Sequence, residues 1–203
     1  MINRRKFLIR CAQCTGAVTA SSFFDVGSFI NIAPSSAIAG LPRADDLAHI
    51  EASHYKKLDE LEVECGICPR KCKVSPLERG YCGTRENREG QYYTLVYSRP
   101  CSLNIDPIEK KPLFHFLPGT NAFSLATAGC NVNCKFCQNW SISQVRPEQV
   151  DNYYLTPDDI ANLAKQYECP TIAYTYSEPV VFYEYMYDCA VEARKKNVRS
   201  VAI

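Results

Sequence analysis

Ala128-Gly129-Cys130-Asn131-Val132-Asn133-Cys134-Lys135-Phe136-Cys137-Gln138-Asn139-Trp140 sets three cysteines at the spacing C-x3-C-x2-C. Spacings this short let one loop wrap a single iron–sulfur cluster. Three thiolates hold only three irons of a four-iron cube. The fourth iron keeps a free position, as a catalytic zinc keeps one for water or substrate. Such an iron binds a small chelating molecule and passes it an electron. The plainer readings are a structural metal knot or three buried free cysteines. A structural zinc wants four ligands, and no fourth Cys or His follows close behind Cys137.

Working outward, Phe123-Ser124-Leu125-Ala126-Thr127-Ala128 reads as a core strand that delivers the cysteine loop at its C-terminal end, where α/β barrels place their chemistry. Downstream, Thr156-Pro157-Asp158-Asp159 is a helix start, with Thr156 as N-cap, proline at the first position and acid in the first turn. The helix should run to about Glu168 and stop before Pro170. Thr171–Tyr176 is a second core strand. A helix follows with Phe182, Met186, Cys189, Ala190 and Ala193 on one face. Asn197–Ile203 is a third strand, and the alternation implies parallel pairing. At the end of the second strand stands Tyr176-Ser177-Glu178-Pro179. Glu178 is either a ligand-binding acid or the acidic first turn of a helix, which the macrodipole favours.

Upstream, Asp106-Pro107-Ile108-Glu109-Lys110-Lys111-Pro112-Leu113-Phe114-His115-Phe116 is loop-like and dense in functional groups. His115 is the best general acid/base candidate in the chain; a packed, hydrogen-bonded histidine is the equal alternative. Glu109, Lys110 and Lys111 read as a solvated face. Gln91–Ser98 is β-branched and aromatic, hence a strand.

Before it lies a second cysteine group. Cys65, Cys68, Cys72 and Cys82 stand at C-x2-C-x3-C-x9-C. Four thiolates satisfy a metal completely, so this knot is structural or electron-relaying. Zinc and an auxiliary iron–sulfur cluster fit the spacing equally, and a pair of disulfides is the remaining option. Arg70, Lys71 and Lys73 are placed to offset the thiolate charge.

Asn3-Arg4-Arg5-Lys6-Phe7-Leu8 resembles a twin-arginine export motif, and Ala37-Ile38-Ala39 an A-x-A cleavage site. The expected organisation is therefore a signal peptide over 1–39, a linker or helical lead-in over 40–63, a Cys-rich subdomain with its connecting loop over 64–120, and the catalytic α/β domain over 121–203. The expected destination is the periplasm or cell envelope; a cytoplasmic protein with a basic leader is the alternative. The sequence has 203 residues, 46% of them hydrophobic, with a formal net charge of +1. Losing Arg4, Arg5, Lys6, Arg10 and Asp25 would leave 19 basic against 21 acidic residues. Such a balance gives no field to attract nucleic acid, and no apolar run supports a stable membrane span.

With an aromatic just before its third cysteine, the C-x3-C-x2-C motif resembles the signature of the radical S-adenosylmethionine (SAM) enzymes. Cys65-Gly66-Ile67-Cys68-Pro69, Asp106–Phe116 and Tyr174–Pro179 narrow the resemblance to the radical SAM enzyme of the AmmeMemoRadiSam system, related to pyruvate formate-lyase activating enzymes. The resemblance implies the N-terminal half of a partial (β/α)6 barrel preceded by the four-cysteine knot. It also implies a [4Fe–4S] cluster on Cys130, Cys134 and Cys137, with SAM on its open iron. Reductive cleavage of SAM would then give methionine and a 5′-deoxyadenosyl radical for hydrogen abstraction. Ser177 and Glu178 match a Gly-Gly-Glu-Pro-like turn that contacts the SAM amino group, with Tyr176-Ser177 in place of the two glycines. Phe136 resembles the residue near the adenine; an ordinary buried phenylalanine is the alternative. The partners implied are a low-potential electron donor, other AmmeMemoRadiSam proteins or a glycyl radical enzyme. A six-unit barrel needs roughly another hundred residues beyond the third strand, so the expectation is a fragment whose last strand is an exposed edge. The competing function is a non-catalytic iron–sulfur or zinc protein, or an inactive truncated chain.

Overall fold

The computed structural model describes residues 40–203; the export-signal reading of residues 1–39 lies outside them. The central sheet holds β8 (Ser102–Pro107), β9 (Asn121–Ala126), β11 (Thr171–Tyr174) and β12 (Arg199–Ala202), in the order β12-β11-β9-β8. The last three in chain order pair in parallel, with Ile172 opposite both Phe123 and Ser200. From Ala122 to Ala126 and from Thr171 to Tyr174 every residue is buried, as expected of strands covered on both faces. Strands β12 and β8 form the two edges of the sheet.

Strand β8 corrects the loop-like reading of Asp106 and Pro107. It pairs antiparallel with β9, Leu103 against Leu125 and Asp106 against Ala122, so the sheet begins at Ser102. Pro107 sits at its end, where a missing N–H costs least.

Two helices cover one face of the sheet. Helix α2 (Pro157–Gln166) is capped as expected: Asp159 N–H donates to Thr156 Oγ1 at 3.3 Å, and Thr156 N–H donates to the Asp159 carboxylate at 2.8 Å. Helix α3 (Tyr183–Lys195) buries Tyr185, Cys189 and Ala193, while Phe182 is buried in the 3-10 turn just before it. Met186 and Ala190 pack at the margin. These helices meet Leu103, Phe123, Leu125, Ile172 and Tyr174 of the sheet in the main core. The opposite face is lined by the small residues Ala122 and Ala173 with Ile108.

The segment read as a linker or helical lead-in contains no α-helix. Its residues form β1 (Arg43–Ala44), β2 (Ile50–Glu51) and β3 (Tyr55–Lys57), then a 3-10 turn over Asp59–Leu61. Pairing decided this segment over local propensity. Strand β1 lies against β10 (Asn152–Tyr153), β2 against β7 (Gln91–Thr94), and β3 against β4 (Val63–Cys65). The remaining strands, β5 (Lys73–Val74) and β6 (Arg85–Arg88), complete two small antiparallel sheets, β3-β4-β5 and β2-β7-β6. No helix among the described residues is long and apolar enough to cross a membrane.

The Cys-rich part is fastened to α3 by a buried ion pair that carries no sequence signal. Arg85, fully buried, donates Nη1 to Glu184 Oε1 at 2.9 Å and Nη2 to Oε2 at 2.6 Å. Ser53 N–H donates to the same Oε1 at 2.6 Å. Thr84 Oγ1 adds a bond to the Val181 carbonyl at 3.2 Å.

Candidate functional site

The cysteine loop leaves β9 at its C-terminal end and closes through the short helix α1 (Trp140–Ser143). Gly129 N–H donates to the Ile142 carbonyl at 2.8 Å, and Gln144 Nε2 to the Val132 carbonyl at 3.0 Å. Gly129 has φ +87°, and a Cβ there would lie 2.4 Å from the Cys82 carbonyl oxygen. Only glycine allows both the left-handed backbone and this approach. Cys130 and Cys137 are half-buried and Cys134 is exposed; all three are free thiols. Val132 N–H donates to Cys130 Sγ at 3.5 Å, and Cys137 Sγ lies 3.2 Å from Ser143 Oγ.

Phe136 is 91% exposed and Trp140 66%. The ordinary buried phenylalanine is therefore excluded, because the loop turns its apolar groups outward.

Ser177 and Glu178 follow β11, also at its C-terminal end. Ser177 Oγ donates to the Thr127 carbonyl at 3.0 Å, three residues before Cys130. Asn139 Nδ2 donates to the Tyr176 carbonyl at 3.0 Å. Two hydrogen bonds thus join the cysteine loop to the Tyr176–Pro179 turn. Glu178 is half-buried and precedes the 3-10 turn Pro179–Phe182, but its side chain makes no capping bond there.

The structure does not bring His115 to this end. Its loop joins β8 to the N-terminal end of β9, away from Cys130, and His115 is exposed. The packed-histidine alternative fails as well. Lys111 is not part of a solvated face: it is 3% exposed, and its Nζ donates to Asp106 Oδ2 at 2.5 Å. Lys110 Nζ reaches Oδ1 at 2.7 Å. Burial opposes ionisation of Asp106, yet hydrogen bonds from Lys110, Lys111 and Tyr176 outweigh it and hold the carboxyl down at about 2. Burial lowers the Lys111 ammonium despite its carboxylate partner, and burial together with Asp106 raises the Tyr176 phenol.

In the second cysteine group, Cys65 N–H donates to the Cys72 carbonyl at 2.9 Å. Cys82 Sγ lies 3.2 Å from Thr84 Oγ1. Burial raises the Cys65 thiol, while the Arg85 guanidinium pulls it down. Tyr92, fully buried, is raised by its burial and by the neighbouring Cys65, Cys82 and Cys72. Its hydroxyl and Arg85 Nε find no hydrogen-bond partner among the described residues. Arg85 is therefore the cation buried beside these thiols. Arg70, expected there, is exposed; it stacks on Tyr81 at 3.5 Å and donates Nε to the Asn131 carbonyl of the other loop at 2.5 Å. Cys82 and Cys130 share the wall of one cavity of about 830 Å³, with Arg79, Glu86, Arg146 and Gln149.

No cysteine from Cys65 to Cys189 is in a disulfide. Among the described residues no three His, Cys, Asp or Glu side chains converge closely enough to hold a metal ion. A four-iron cube spaces its thiolates more widely than one ion does. Three free thiols on one loop, two of them already in polar contact at sulfur, suit that larger group in donor chemistry.

Residues 124–203 match the family model of the Radical SAM superfamily. A domain of that superfamily implies a [4Fe–4S] cluster and SAM as cofactors. The chain is similar to the uncharacterized protein MJ0808 of Methanocaldococcus jannaschii, with 52% identity over 153 residues, 75% of this chain and 46% of that protein. It is also similar to the uncharacterized protein MJ0674 of the same organism, with 31% identity over 102 residues, 50% of this chain and 25% of that protein. The chain therefore spans less than half the length of these curated relatives. No solved structure matches it.

Proposed function

We propose, from the radical SAM domain at residues 124–203, that this protein cleaves SAM reductively and directs the resulting radical to hydrogen abstraction. Cys130, Cys134 and Cys137 hold the cluster; Ser177, Glu178 and Phe136 receive SAM. When bound, the [4Fe–4S] cluster supplies the electron that splits SAM into methionine and a 5′-deoxyadenosyl radical. The observation that carries the reading is the pair of hydrogen bonds tying the cysteine loop to the Tyr176–Pro179 turn, Asn139 to Tyr176 and Ser177 to Thr127. They keep the thiols and the carboxylate of Glu178 at one end of the sheet. A small chelating ligand bridging both would meet groups of this chain on each side.

The narrower reading is an enzyme of the AmmeMemoRadiSam type, related to glycyl-radical activases, fed by a low-potential electron donor. Its motivation is the Asp106–Phe116 stretch and the four-cysteine group. In that group Cys65, Cys68, Cys72 and Cys82 would hold an auxiliary cluster; the zinc alternative would need the thiols to draw closer than they stand. Tyr92 Oη and Arg85 Nε, buried beside the thiols without partners, suit such a centre, because metal-bound sulfur accepts hydrogen bonds. Export by the twin-arginine route accompanies this proposal.

The test is electron paramagnetic resonance on the anaerobically reconstituted, reduced chain, with and without SAM. It is run beside a variant lacking Cys65, Cys68, Cys72 and Cys82. A [4Fe–4S] signal that changes with SAM in both is expected. A cluster indifferent to SAM sinks the catalytic reading and leaves an iron–sulfur carrier.

A further inference from the structure

The backbone of the Tyr176–Pro179 turn is strained at one residue. Tyr176 has φ +69°, the left-handed region that glycine occupies freely and tyrosine rarely does. Ser177 N–H donates back to the Thr175 carbonyl at 2.9 Å, which closes a γ-turn of the rare, strained hand. A bulky residue persists in such a place when its surroundings over-determine it.

Those surroundings are specific. The Tyr176 hydroxyl reaches side chains of strands β8 and β9, Asp106, Asn104 and Ser124. This hydroxyl donates to Asp106 Oδ2. Lys111 donates to the same oxygen and lies 4.4 Å from the ring centre. Its Nζ is also 3.4 Å from Tyr176 Oη. Asp106 is 5% exposed. A buried ion pair is weak evidence of stabilisation, since desolvation offsets most of its attraction. This one, however, holds the phenol that holds the turn. From the same residue the backbone runs outward to Asn139 through the Tyr176 carbonyl, and forward to Ser177 and Glu178.

We infer that Asp106, Lys111 and the Tyr176 side chain are positioning residues: they clamp the strained turn from beneath and so fix Ser177 and Glu178 for SAM. The inference rests on the radical SAM reading above. The tyrosine replaces the glycine such a turn calls for because its side chain is used as an anchor. The anchor acts on the SAM-binding turn and leaves the three thiols to their own loop.

The experiment titrates SAM into the reduced, reconstituted full chain and follows the cluster's paramagnetic signal. Tyr176→Phe keeps the ring and deletes the anchoring bond. It should raise the SAM concentration at half-change by about tenfold, the scale of losing a hydrogen bond to a buried charge. Iron content and the SAM-free spectrum should be unaltered. The double variant D106N/K111M keeps an oxygen that accepts from Tyr176 but removes both charges, so it should raise the same midpoint by less than Tyr176→Phe does; a double variant that titrates like the unmodified chain overturns the role of Asp106 and Lys111. A Tyr176→Phe chain that titrates like the unmodified one overturns the inference. So does one that loses iron or changes its SAM-free spectrum, since the side chain would then serve the cluster loop. If the unmodified chain holds a cluster that ignores SAM, the radical SAM reading fails and takes this inference with it; in the other overturning outcomes that reading survives.

Discussion

Among the carboxyl groups of the described residues, Asp106 is the one its surroundings alter most, and acid should expose it. Its carboxyl titrates at about 2 in the folded chain against an ordinary 3.8. The sign follows: the folded state holds the proton less tightly than the unfolded one. Stability from this group is therefore complete above the ordinary value and is lost as pH falls toward the folded one. Urea unfolding between about pH 5 and pH 2 should show an acid loss about 2 kcal/mol larger in the parent than in Asp106→Asn. Equal acid sensitivity in the two chains would mean that the carboxylate is not held as described. Gly129 makes a second prediction at this scale. In Gly129→Ala the new methyl meets the Cys82 carbonyl at 2.4 Å under a φ of +87°. A cost of about 1–3 kcal/mol in chemical denaturation is expected, with reduced iron uptake on reconstitution.

Among the elements, α2 was legible to within a few residues, because its signals are local. Thr156, Pro157 and Asp159 are a cap, a first-turn proline and an N3 acid, and they do in the fold what they announce in the sequence. Thr156→Ala should cost about 1 kcal/mol, read as a lower midpoint in urea with an unchanged slope. The parallel strands β9, β11 and β12 were legible for the same reason: short apolar runs alternating with helical periods. Strand β8 was not, since its burial depends on which partner lies beside it. Strands β1 to β3 are two or three residues long and carry no period at all. In the site, the cysteines and Glu178 stood out by spacing and context. Lys111 and Tyr176 did not, because a buried lysine is visible only once Asp106 and the ring beneath the turn are in place. Arg85 and Glu184, 99 residues apart, meet through topology and leave no mark on either neighbourhood.

For the described chain as a whole, that ion pair sets how the Cys-rich part and the sheet domain respond together. Breaking it from one side leaves an uncompensated buried charge, which costs about 3–5 kcal/mol. Arg85→Met should therefore lower stability by that much, and the double variant R85M/E184L should recover most of it. Hydrogen-exchange protection of β6 in the Cys-rich part and of β9 in the sheet should be lost in one shared transition in both. Separate transitions would show that the two parts unfold independently despite the Arg85, Thr84, Cys82 and Arg70 contacts.

The outward-facing indole of Trp140 has an optical consequence. It is the sequence's one tryptophan, it stands three residues after Cys137, and it is largely in water. The chain thus carries a built-in lamp beside its thiols. Loading iron and sulfide should dim its emission in step with metal uptake, so that cofactor assembly can be timed in a stopped-flow cuvette without any label.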